Sequence, residues 1–332
     1  MPNNCALKLV RSLSFNPWYN LAVEEELFRN IKSDQVILYL WQNENTVVIG
    51  RNQNPWRECR CKILEEHGGK LARRLSGGGA VYHDLGNLNF TFVAKEGAFN
   101  IKKQLEVIIE AVKLKGIDAE FSGRNDIVAQ GKKFSGNAFY YDDDNCYHHG
   151  TLLVASDMKK IQQYLQVSKE KIKSKGVNSV ESRVVNLNTI NPGLDINNLS
   201  AALEQSFQQV YHGTISETKV IDEDMGSVKK LYEKYSSWNW RYGESPKFEM
   251  TLYHRFKWGD LDINFNLKDG HISKVTVFSD AIDCKLIKDI EEVLLGIEFS
   301  KKAILMNLEN LKNRYDKNLI DEIKNWIDEK EI

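Results

Sequence analysis

The sequence has 332 residues, more than the roughly 100–150 residues of a typical domain, so we expect one large domain and one small one. Its hydrophobic fraction of 42%, charged fraction of 27% and net charge of −1 fit an ordinary soluble protein without a basic field for nucleic acid. There is no apolar run of the ~20 residues that a membrane helix needs and no signal-peptide core. The five cysteines form no CxxC pair, which argues against disulfides and structural zinc and favours a reducing cytoplasm.

The N-terminal two-thirds are predicted to mix helices with short strands. A first helix is predicted over residues 17–30, with Asn16 as its N-cap and Pro17 at its first position. Residues 88–93 alternate apolar and polar side chains, the period of a half-buried strand. Further strands are predicted at 36–41, 46–50, 71–75, 80–83, 133–141 and 147–155, and further helices at 101–115, 157–165, 197–211 and 224–235.

A break in the pattern separates this part from the C-terminal third. Residues 241–247 contain Gly243 and Pro246 and form the candidate linker. Strands mixed with helices, without regular βαβ alternation, predict an α+β fold on both sides of the linker. The C-terminal strands are predicted at 248–258, 260–267 and 271–278, with helices from there to the end.

Three adjacent glycines lie between two predicted strands, in the segment from Arg73 to Asp84. Glycine permits positive φ and close approach to the backbone, so consecutive N–H groups in such a run can form a concave anion nest. The preceding Arg73 and Arg74 supply fixed positive charge for phosphate. The alternative is a flexible hairpin turn with solvated arginines. Neither GxGxxG nor GxxxxGK[ST] is present, which excludes a Rossmann or Walker nucleotide site.

A second polar segment begins at two adjacent lysines. In a regular strand starting here, Lys133, Ser135 and Asn137 share one face, opposite Phe134. This face suits a binding cleft, where an ammonium can bind a carboxylate and a phosphate together and stabilise charge that shifts between them. Lys132, on the Phe134 side, is expected to reach solvent. The alternative is an edge strand with ordinary exposed polar side chains.

A third segment, residues 159–183, is locally basic, with seven Lys or Arg against two Glu. Such a run is usually a solvated helix end. The functional alternatives are a loop that closes over a nucleotide or a docking face for an acidic protein.

With these segments the chain resembles the lipoate–protein ligase A family, in its long form with a C-terminal accessory domain. The family's glycine motif RRxSGGGAVxHDLGN matches residues 73–87. Its lysine motif, RND followed by GxKxSGxA, matches 124–126 and 131–138. The C-terminal third matches less tightly. Other matches are PWxNLAxEE at 17–25, GRxQNPW at 50–56, HHGTLL at 148–153 and KGxxSVxSRVxNL at 175–187.

The resemblance implies a large mixed-sheet catalytic domain, residues 1–243, similar to those of biotin and lipoate protein ligases, and a small α+β accessory domain, residues 248–332. It implies two half-reactions in one site. ATP and lipoate form lipoyl-adenylate and pyrophosphate, with Mg²⁺ expected beside ATP, and an acceptor lysine then attacks the mixed anhydride. The implied acceptors are E2 subunits of 2-oxoacid dehydrogenases and the glycine cleavage H protein.

The resemblance also implies roles for particular residues. The family's catalytic lysine maps onto Lys133, which would hold the lipoate carboxylate and then the adenylate. Asp126 would orient Lys133 or face Mg²⁺. The lipoyl tail would lie in an apolar tunnel, for which Phe90, Phe92 and Val81 are candidates. The implied lipoate- or ATP-binding positions are Arg74, Ser76, Gly77, Gly78, Gly79, Ala80, Val81, Tyr82, His83, Asp126, Lys175, Gly176, Val180 and Arg183.

Two other functions share these features. The related octanoyl- and lipoyl-amidotransferases move the acyl group through a cysteine thioester, which needs an activated thiolate. Cys146 is near two histidines in sequence, but we expect it in an exposed acidic turn where neighbouring aspartates disfavour the thiolate. Cys59 and Cys61 are predicted to be residues of a helix whose side chains are buried and contribute to packing. A non-catalytic carrier-binding protein would need a broken Lys133 site.

The remaining expectations concern metals, partners and location. The adjacent His148 and His149 point to alternate faces of a strand, so together with His83 they do not form a converging ligand set and no metal ligand is assigned. We expect a cytoplasmic monomer that binds neither nucleic acid nor membranes.

Overall fold

The computed structural model describes residues 5–122, 126–166, 184–223, 225–242, 250–268 and 270–330, with the backbone alone for residue 57. The chain divides into two compact units. The first comprises Met1–Ile49, Pro55–Leu75 and Ala80–Arg241. The second comprises Gly50–Asn54, Ser76–Gly79 and Tyr242–Ile332.

A mixed sheet forms the centre of the first unit. Within the described residues it has eight strands in the order β11-β1-β2-β6-β10-β9-β8-β7. Strand β1 is parallel to β11 and β2, and the other neighbours are antiparallel. The strands are β1 (Ala6–Ser12), β2 (Gln35–Trp41), β6 (Asn87–Lys95), β7 (Glu120–Ser122), β8 (Asp126–Ala129), β9 (Lys132–Asp142), β10 (Asn145–Leu153) and β11 (Ile215–Ile221). A smaller sheet of β3 (Thr46–Ile49), β4 (Lys70–Arg73) and β5 (Val81–His83) has the order β4-β3-β5.

The strands with a clear apolar pattern are confirmed to within a few residues, whereas β1, β7, β8 and β11 were not predicted. Strand β11, with the sequence ISETKVI, is mostly exposed and has no apolar period. It is extended because it pairs with β1, about 200 residues earlier in the chain, with Lys8 opposite Glu217. Local periodicity carries no signal for such a pairing.

The helices of the first unit begin where capping residues allow. The Asn16 side chain accepts a hydrogen bond from the Trp18 N–H at 3.1 Å, and Pro17 occupies the first turn, as predicted. Among the described residues of this unit, the helices are α1 (Pro17–Arg29), α2 (Pro55–Glu58), α3 (Cys61–Glu66), α4 (Ile101–Lys113), α5 (Met158–Tyr164), α6 (Leu187–Ile190), α7 (Ile196–Tyr211), α8 (Lys229–Ser236) and α9 (Trp238–Arg241), with a 3₁₀ turn at Glu96–Ala98.

Helices cover both faces of the large sheet, and each face has its own core. On one face Phe90 and Phe92 pack with Leu105 of α4 and Phe207 of α7. On the other face Tyr39, Trp41 and Tyr147 pack with Tyr19, Leu21 and Phe28 of α1. Each fully buried large side chain contributes ~1.5–3 kcal/mol. Two cores of this kind hold the sheet rigid between them.

The second unit is a three-stranded antiparallel sheet with helices on one face. Leu261, Ile263 and Phe265 on its central strand pack against these helices. The expected α+β class is confirmed in both units, and residues 243–247 of the predicted linker lie outside the described residues. The elements are β12 (Met250–Arg255), β13 (Asp260–Lys268), β14 (His271–Phe278), α10 (Cys284–Leu294), α11 (Lys301–Glu309) and α12 (Lys317–Asp328), with a 3₁₀ turn at Asn310–Asn313.

Candidate active site

A β-bulge determines to which face of the sheet the Lys133 side chain points. Ile127 of β8 lies opposite Ser135 and Val128 lies opposite Lys133, so Phe134 is an extra residue in β9. An extra residue reverses the alternation of side chains along a strand. Lys133 therefore lies on the face of Gly136, and the prediction that it shares a face with Ser135 and Asn137 is wrong.

The Lys133 ammonium lies over Gly136 and pairs with Asp126. Its Nζ is 2.7 Å from Asp126 Oδ1, and the two side chains are 35% and 38% exposed. A Cβ placed on Gly136 would be 2.9 Å from this Nζ. Lys132, the preceding residue, is exposed as predicted. Only Lys133 thus presents a half-buried cation on this face of β9.

Ser135 and Asn137 lie on the opposite face, inside the protein. Both are buried, and Asn137 Oδ1 is 2.8 Å from His148 Nε2. Burial lowers the pKa of His148 to about 3, with a smaller contribution from His149. A neutral imidazole held between Asn137 and Gln104, whose Oε1 is 3.1 Å from Nδ1, is a structural feature of the core. The interpretation of Ser135 and Asn137 as cleft residues is therefore wrong.

A buried polar network lies on the Lys133 face of the sheet. Glu24 Oε1 is 2.8 Å from His149 Nδ1 and accepts a hydrogen bond from the Thr91 hydroxyl at 2.6 Å. The Trp41 indole N–H donates to the Thr91 hydroxyl at 3.1 Å. Each buried polar atom so paired avoids the desolvation cost of an unpaired one. In the strand register, Thr91 lies opposite His149 of β10. Two residues after His149 on the same strand, the Thr151 hydroxyl accepts a hydrogen bond from the Gly136 N–H.

No role was predicted for Glu24 or Thr91, although the sequence does contain a signal for Glu24. It follows Leu21 by three residues and precedes Phe28 by four, so helical spacing places it on the same buried face as these two side chains. A carboxylate on the apolar face of a helix needs buried partners. The sequence gives no indication that these partners are Thr91 and His149.

The two arginines before the glycine run are buried and make hydrogen bonds to the backbone. Arg73 donates from Nε to the Trp240 carbonyl at 2.9 Å and from Nη2 to the Arg241 carbonyl at 3.0 Å. Arg74 donates from Nη1 to the Val48 carbonyl at 3.2 Å. Arg73 thus holds α9 against β4, a role the sequence did not suggest.

The glycine run, which belongs by its contacts to the second unit, has its backbone closely surrounded. Gly78 has φ +90°, as expected of a glycine turn. Its N–H donates to the Ala281 carbonyl at 3.1 Å, so the prediction of consecutive exposed N–H groups is wrong at this residue. A Cβ on Gly77 would be 2.2 Å from the Ala281 oxygen and 2.8 Å from that of Ile282. Ser76 is fully buried, and its carbonyl accepts the Arg51 N–H.

Beyond the run, residues Ala80 to His83 return to the small sheet. Ala80 and Val81 are half-buried. The buried Tyr82 donates its hydroxyl to Asn45 Oδ1 at 3.0 Å. Burial, together with the nearby Arg74 and His149, lowers the pKa of His83 to about 3, so its ring is neutral. Its Nδ1 is 3.1 Å from Asn43 Nδ2.

Several predicted site residues lie elsewhere. Phe90 and Phe92, two of the candidates for the lipoyl tunnel, face the core of α4 and α7 on the side of the sheet opposite Lys133. Cys146 is buried in β10, not in an exposed turn, and Cys59 lies between α2 and α3 rather than within a helix. The implied binding residues Lys175, Gly176, Val180 and Arg183 lie outside the described residues, as does Arg124 of the lysine motif.

Two family models match the chain. A lipoyl protein ligase A/B catalytic domain matches residues 16–208, and a bacterial lipoate protein ligase C-terminus matches residues 245–327. A lipoate-protein ligase A of Psychrobacter cryohalolentis is 39% identical over 97% of this chain and 98% of its own length. A lipoate-protein ligase A of Blochmanniella floridana is 38% identical over 90% of each chain.

Solved structures agree with these matches. The structure of Plasmodium falciparum LipL1 in complex with lipoate has a TM-score of 0.86 at 32% identity, covering 97% of this chain and 99% of that one. A lipoate-protein ligase A bound with ATP has a TM-score of 0.61 at 28% identity, covering 72% and 99%. The ligase of a bipartite Thermoplasma acidophilum lipoylation system has a TM-score of 0.65 at 28% identity, covering 74% and 100%. The chain belongs to the lipoate–protein ligase A family and is an enzyme that ligates lipoate.

Proposed function

We propose that this ligase activates lipoate with ATP and transfers the lipoyl group to a lysine of a carrier domain. In the first step a lipoate carboxylate oxygen attacks the α-phosphorus of ATP, and pyrophosphate leaves. In the second step the acceptor amine attacks the carbonyl of lipoyl-AMP, AMP leaves, and the amine gives up a proton as the amide forms. The half-exposed Lys133 ammonium, held beside Asp126 at the matched lysine motif, is the observation that carries the proposal.

Lys133 would act electrostatically in both steps. Negative charge moves from the carboxylate to pyrophosphate in the first step and to AMP in the second. A fixed cation close to these oxygens stabilises both transition states and needs no rearrangement when the charge develops. An ammonium has three N–H donors, so the ion pair with Asp126 still leaves donors for substrate oxygens.

ATP would lie along the glycine run. Arg74 and the segment Ser76–His83 form the proposed nucleotide site, together with Lys175, Gly176, Val180 and Arg183, which lie outside the described residues. Gly79, Ala80 and Val81 are its half-buried members, whereas its other described members are buried. Mg²⁺ would enter with ATP. Of the two roles that the resemblance implies for Asp126, facing Mg²⁺ or orienting Lys133, we assign it the second, because it pairs with Lys133 at 2.7 Å.

The lipoyl tail would follow the Lys133 face of the sheet. Gly136 and Ala138 of β9 lie on this face, with Ala138 opposite His149 of β10. Small side chains here leave space for an aliphatic chain. Val81, which packs with the core on this face, remains a candidate lining residue.

A cysteine-dependent amidotransferase is the alternative that Cys146 raises. Burial, together with the nearby Glu96 and Asp144, raises the pKa of the Cys146 thiol to about 11, so the reactive thiolate is disfavoured. Cys146 is an odd number of residues away from His149 and Thr151 along β10, so its side chain points to the other face of the sheet, away from Lys133. A non-catalytic carrier-binding protein would not need the Lys133–Asp126 pair.

We further propose how the chain is organised and where it acts. Residues 1–243 would bind lipoate and ATP, and residues 248–332 would be an accessory domain. The Thermoplasma relative was studied with its E2 lipoyl domain, which supports E2 subunits, and by extension the glycine cleavage H protein, as acceptors. None of the described helices is long and apolar enough to cross a membrane. The chain would act as a monomer in the cytoplasm, a reducing compartment that suits cysteines without a CxxC pair.

The test uses the purified chain, lipoate, Mg·ATP and a panel of apo-carrier domains. We expect pyrophosphate release with lipoate and ATP, followed by the mass increase of one lipoyl group on the carrier lysine. Cys146→Ser should retain nearly full activity. An acyl adduct on any cysteine, seen by mass spectrometry without ATP, would contradict the proposal in favour of the amidotransferase.

A further inference from the structure

Gly136 provides the space in which the tip of Lys133 lies. A Cβ on this residue would be 2.9 Å from Lys133 Nζ and 3.0 Å from Cε, closer than non-bonded atoms normally approach. Thr151 Oγ1 would be next, at 3.9 Å. The atoms that a side chain at this position would displace are therefore those of the lysine tip.

Gly150, on the neighbouring strand, shows a different constraint. A Cβ there would be 2.6 Å from the Gly136 carbonyl oxygen and 2.6 Å from the Phe90 ring. These are atoms of the backbone and the core, so a side chain at Gly150 would disturb the fold itself. At Gly136 the obstacle is the end of a flexible side chain that can move into solvent. A methyl group at Gly136 would thus displace the ammonium with little effect on the fold.

Asp126 determines where the ammonium rests within this space. The β-bulge brings Lys133 to the face of Asp126 and Gly136, which lie directly opposite each other on β8 and β9. The 2.7 Å ion pair then fixes the end of a side chain that would otherwise sample several rotamers. Both groups are partly exposed, so the pair adds little to stability. What the ion pair determines is where the positive charge of Lys133 lies.

We propose that Gly136 and Asp126 are positioning residues for Lys133, Gly136 by leaving the space and Asp126 by the ion pair. The inference rests on the proposed catalytic role of Lys133. Displacing a catalytic group by about 1 Å can lower a rate by ~10²-fold. Gly136 would therefore be required for the location of the ammonium and not for the fold.

The experiment compares Gly136→Ala with Gly97→Ala in adenylate formation. Gly97 lies in the 3₁₀ turn Glu96–Ala98, where a Cβ would meet nothing within 4 Å, so its variant controls for a general effect of Gly→Ala. We expect Gly136→Ala to lower kcat ~10–100-fold, with the KM for ATP and the midpoint of thermal unfolding close to wild type. Gly97→Ala should match wild type in all three. Unchanged kcat in Gly136→Ala would overturn the proposal.

A double-mutant cycle separates positioning from any independent role. Gly136→Ala and Asp126→Asn are each combined with Lys133→Ala, and adenylate formation is measured in single turnovers at high enzyme concentration. If both residues act through Lys133, neither change should lower the rate further once the ammonium is gone. Equal losses with and without Lys133 would overturn the inference alone. A fully active Lys133→Ala enzyme would instead overturn the catalytic assignment on which the inference rests.

Discussion

Two adjacent lysines at the start of β9 differ sharply in their surroundings. Lys132 is exposed, whereas Lys133 pairs with Asp126 on a face that also carries Gly136. The β-bulge at Phe134 makes this difference, because it turns Lys133 away from the α4 core. Lys132 and Lys133 therefore provide a matched test of the catalytic assignment.

We predict that Lys133→Ala lowers the rates of adenylate formation and of lipoyl transfer ~10²–10³-fold each, the usual loss for one electrostatic contact to a transition state. Thermal unfolding should be unchanged because the lysine is partly exposed. Lys133→Arg should not restore activity, since a planar fork does not replace a point charge in a tight site. Lys132→Ala should resemble wild type. Loss of activity in Lys132→Ala with activity kept in Lys133→Ala would mean that the assignment is wrong.

Helix α1 connects its two buried glutamates to different parts of the first unit. Glu24 contacts Thr91 and His149 on the sheet, and Glu25 is 2.6 Å from Lys234 of α8. Burial alone would raise the pKa of Glu25, but hydrogen bonds from Lys234 and Tyr235 outweigh this and lower it. Both acids are therefore held by partners that lie far from them in sequence.

The glycine run gives a prediction about stability. A Cβ on Gly77 would meet the backbone oxygens of Ala281 and Ile282 at 2.2 and 2.8 Å, and backbone cannot move aside as a side-chain tip can. Gly77→Ala should therefore lower the free energy of unfolding of the second unit by ~1–3 kcal/mol, as overpacking commonly does. Urea titration followed by tryptophan fluorescence measures this loss.

Gly79→Ala is the matched control for this stability measurement, because a Cβ there would meet nothing within 4 Å. Its unfolding midpoint should stay at the wild-type value. Equal midpoints for Gly77→Ala and Gly79→Ala would show that the close approach at Gly77 does not contribute to stability.

Two buried histidines make the stability of the protein depend on pH. Burial lowers the pKa of His83 and of His148 to about 3, from an ordinary 6.5. Below pH 6.5 the unfolded chain binds protons that the folded protein does not, so the free energy of unfolding falls as pH falls. For two such groups we expect a loss of about 3 kcal/mol between pH 6.5 and pH 5.

Urea midpoints measured at intervals between pH 7.5 and pH 5 check this expectation. His148→Gln should roughly halve the slope, because one of the two groups no longer titrates. A stability that stays constant over this range would contradict the assignment of neutral, buried imidazoles.

The charge distribution along the chain gives a prediction about the carrier. The basic run of residues 159–183 begins in α5 with Lys159 and Lys160, and most of it lies outside the described residues. If this run meets an acidic carrier, lipoyl transfer should weaken with added salt more than adenylate formation does, since exposed charges are screened over ~10 Å at 0.1 M. Measuring both rates from 0.05 to about 0.5 M salt tests this. Equal salt dependence would leave the run without a docking role.

The sequence by itself determined the features that depend on neighbouring residues. The cap and first turn of α1 follow from Asn16 and Pro17, and the central strands follow from their apolar period. The run of three glycines permits the positive φ that is found at Gly78. The motifs at residues 73–87 and 131–138 indicated the family and, through the resemblance, mapped its catalytic lysine onto Lys133. All of these are local, because a few consecutive side chains decide them.

Tertiary structure alone decided which groups face one another. The direction of Lys133 depends on how β9 pairs with β8, and a single extra residue moved Ser135 and Asn137 to the core. Arg73 bonds to carbonyls 167 and 168 residues away, and β11 exists only beside β1. Tertiary structure also decided that Phe90 and Phe92 face the core of α4 and α7, because alternation shows that a strand has two faces without showing what each face meets. Contacts between distant residues form only when the chain folds, so no local pattern contains them.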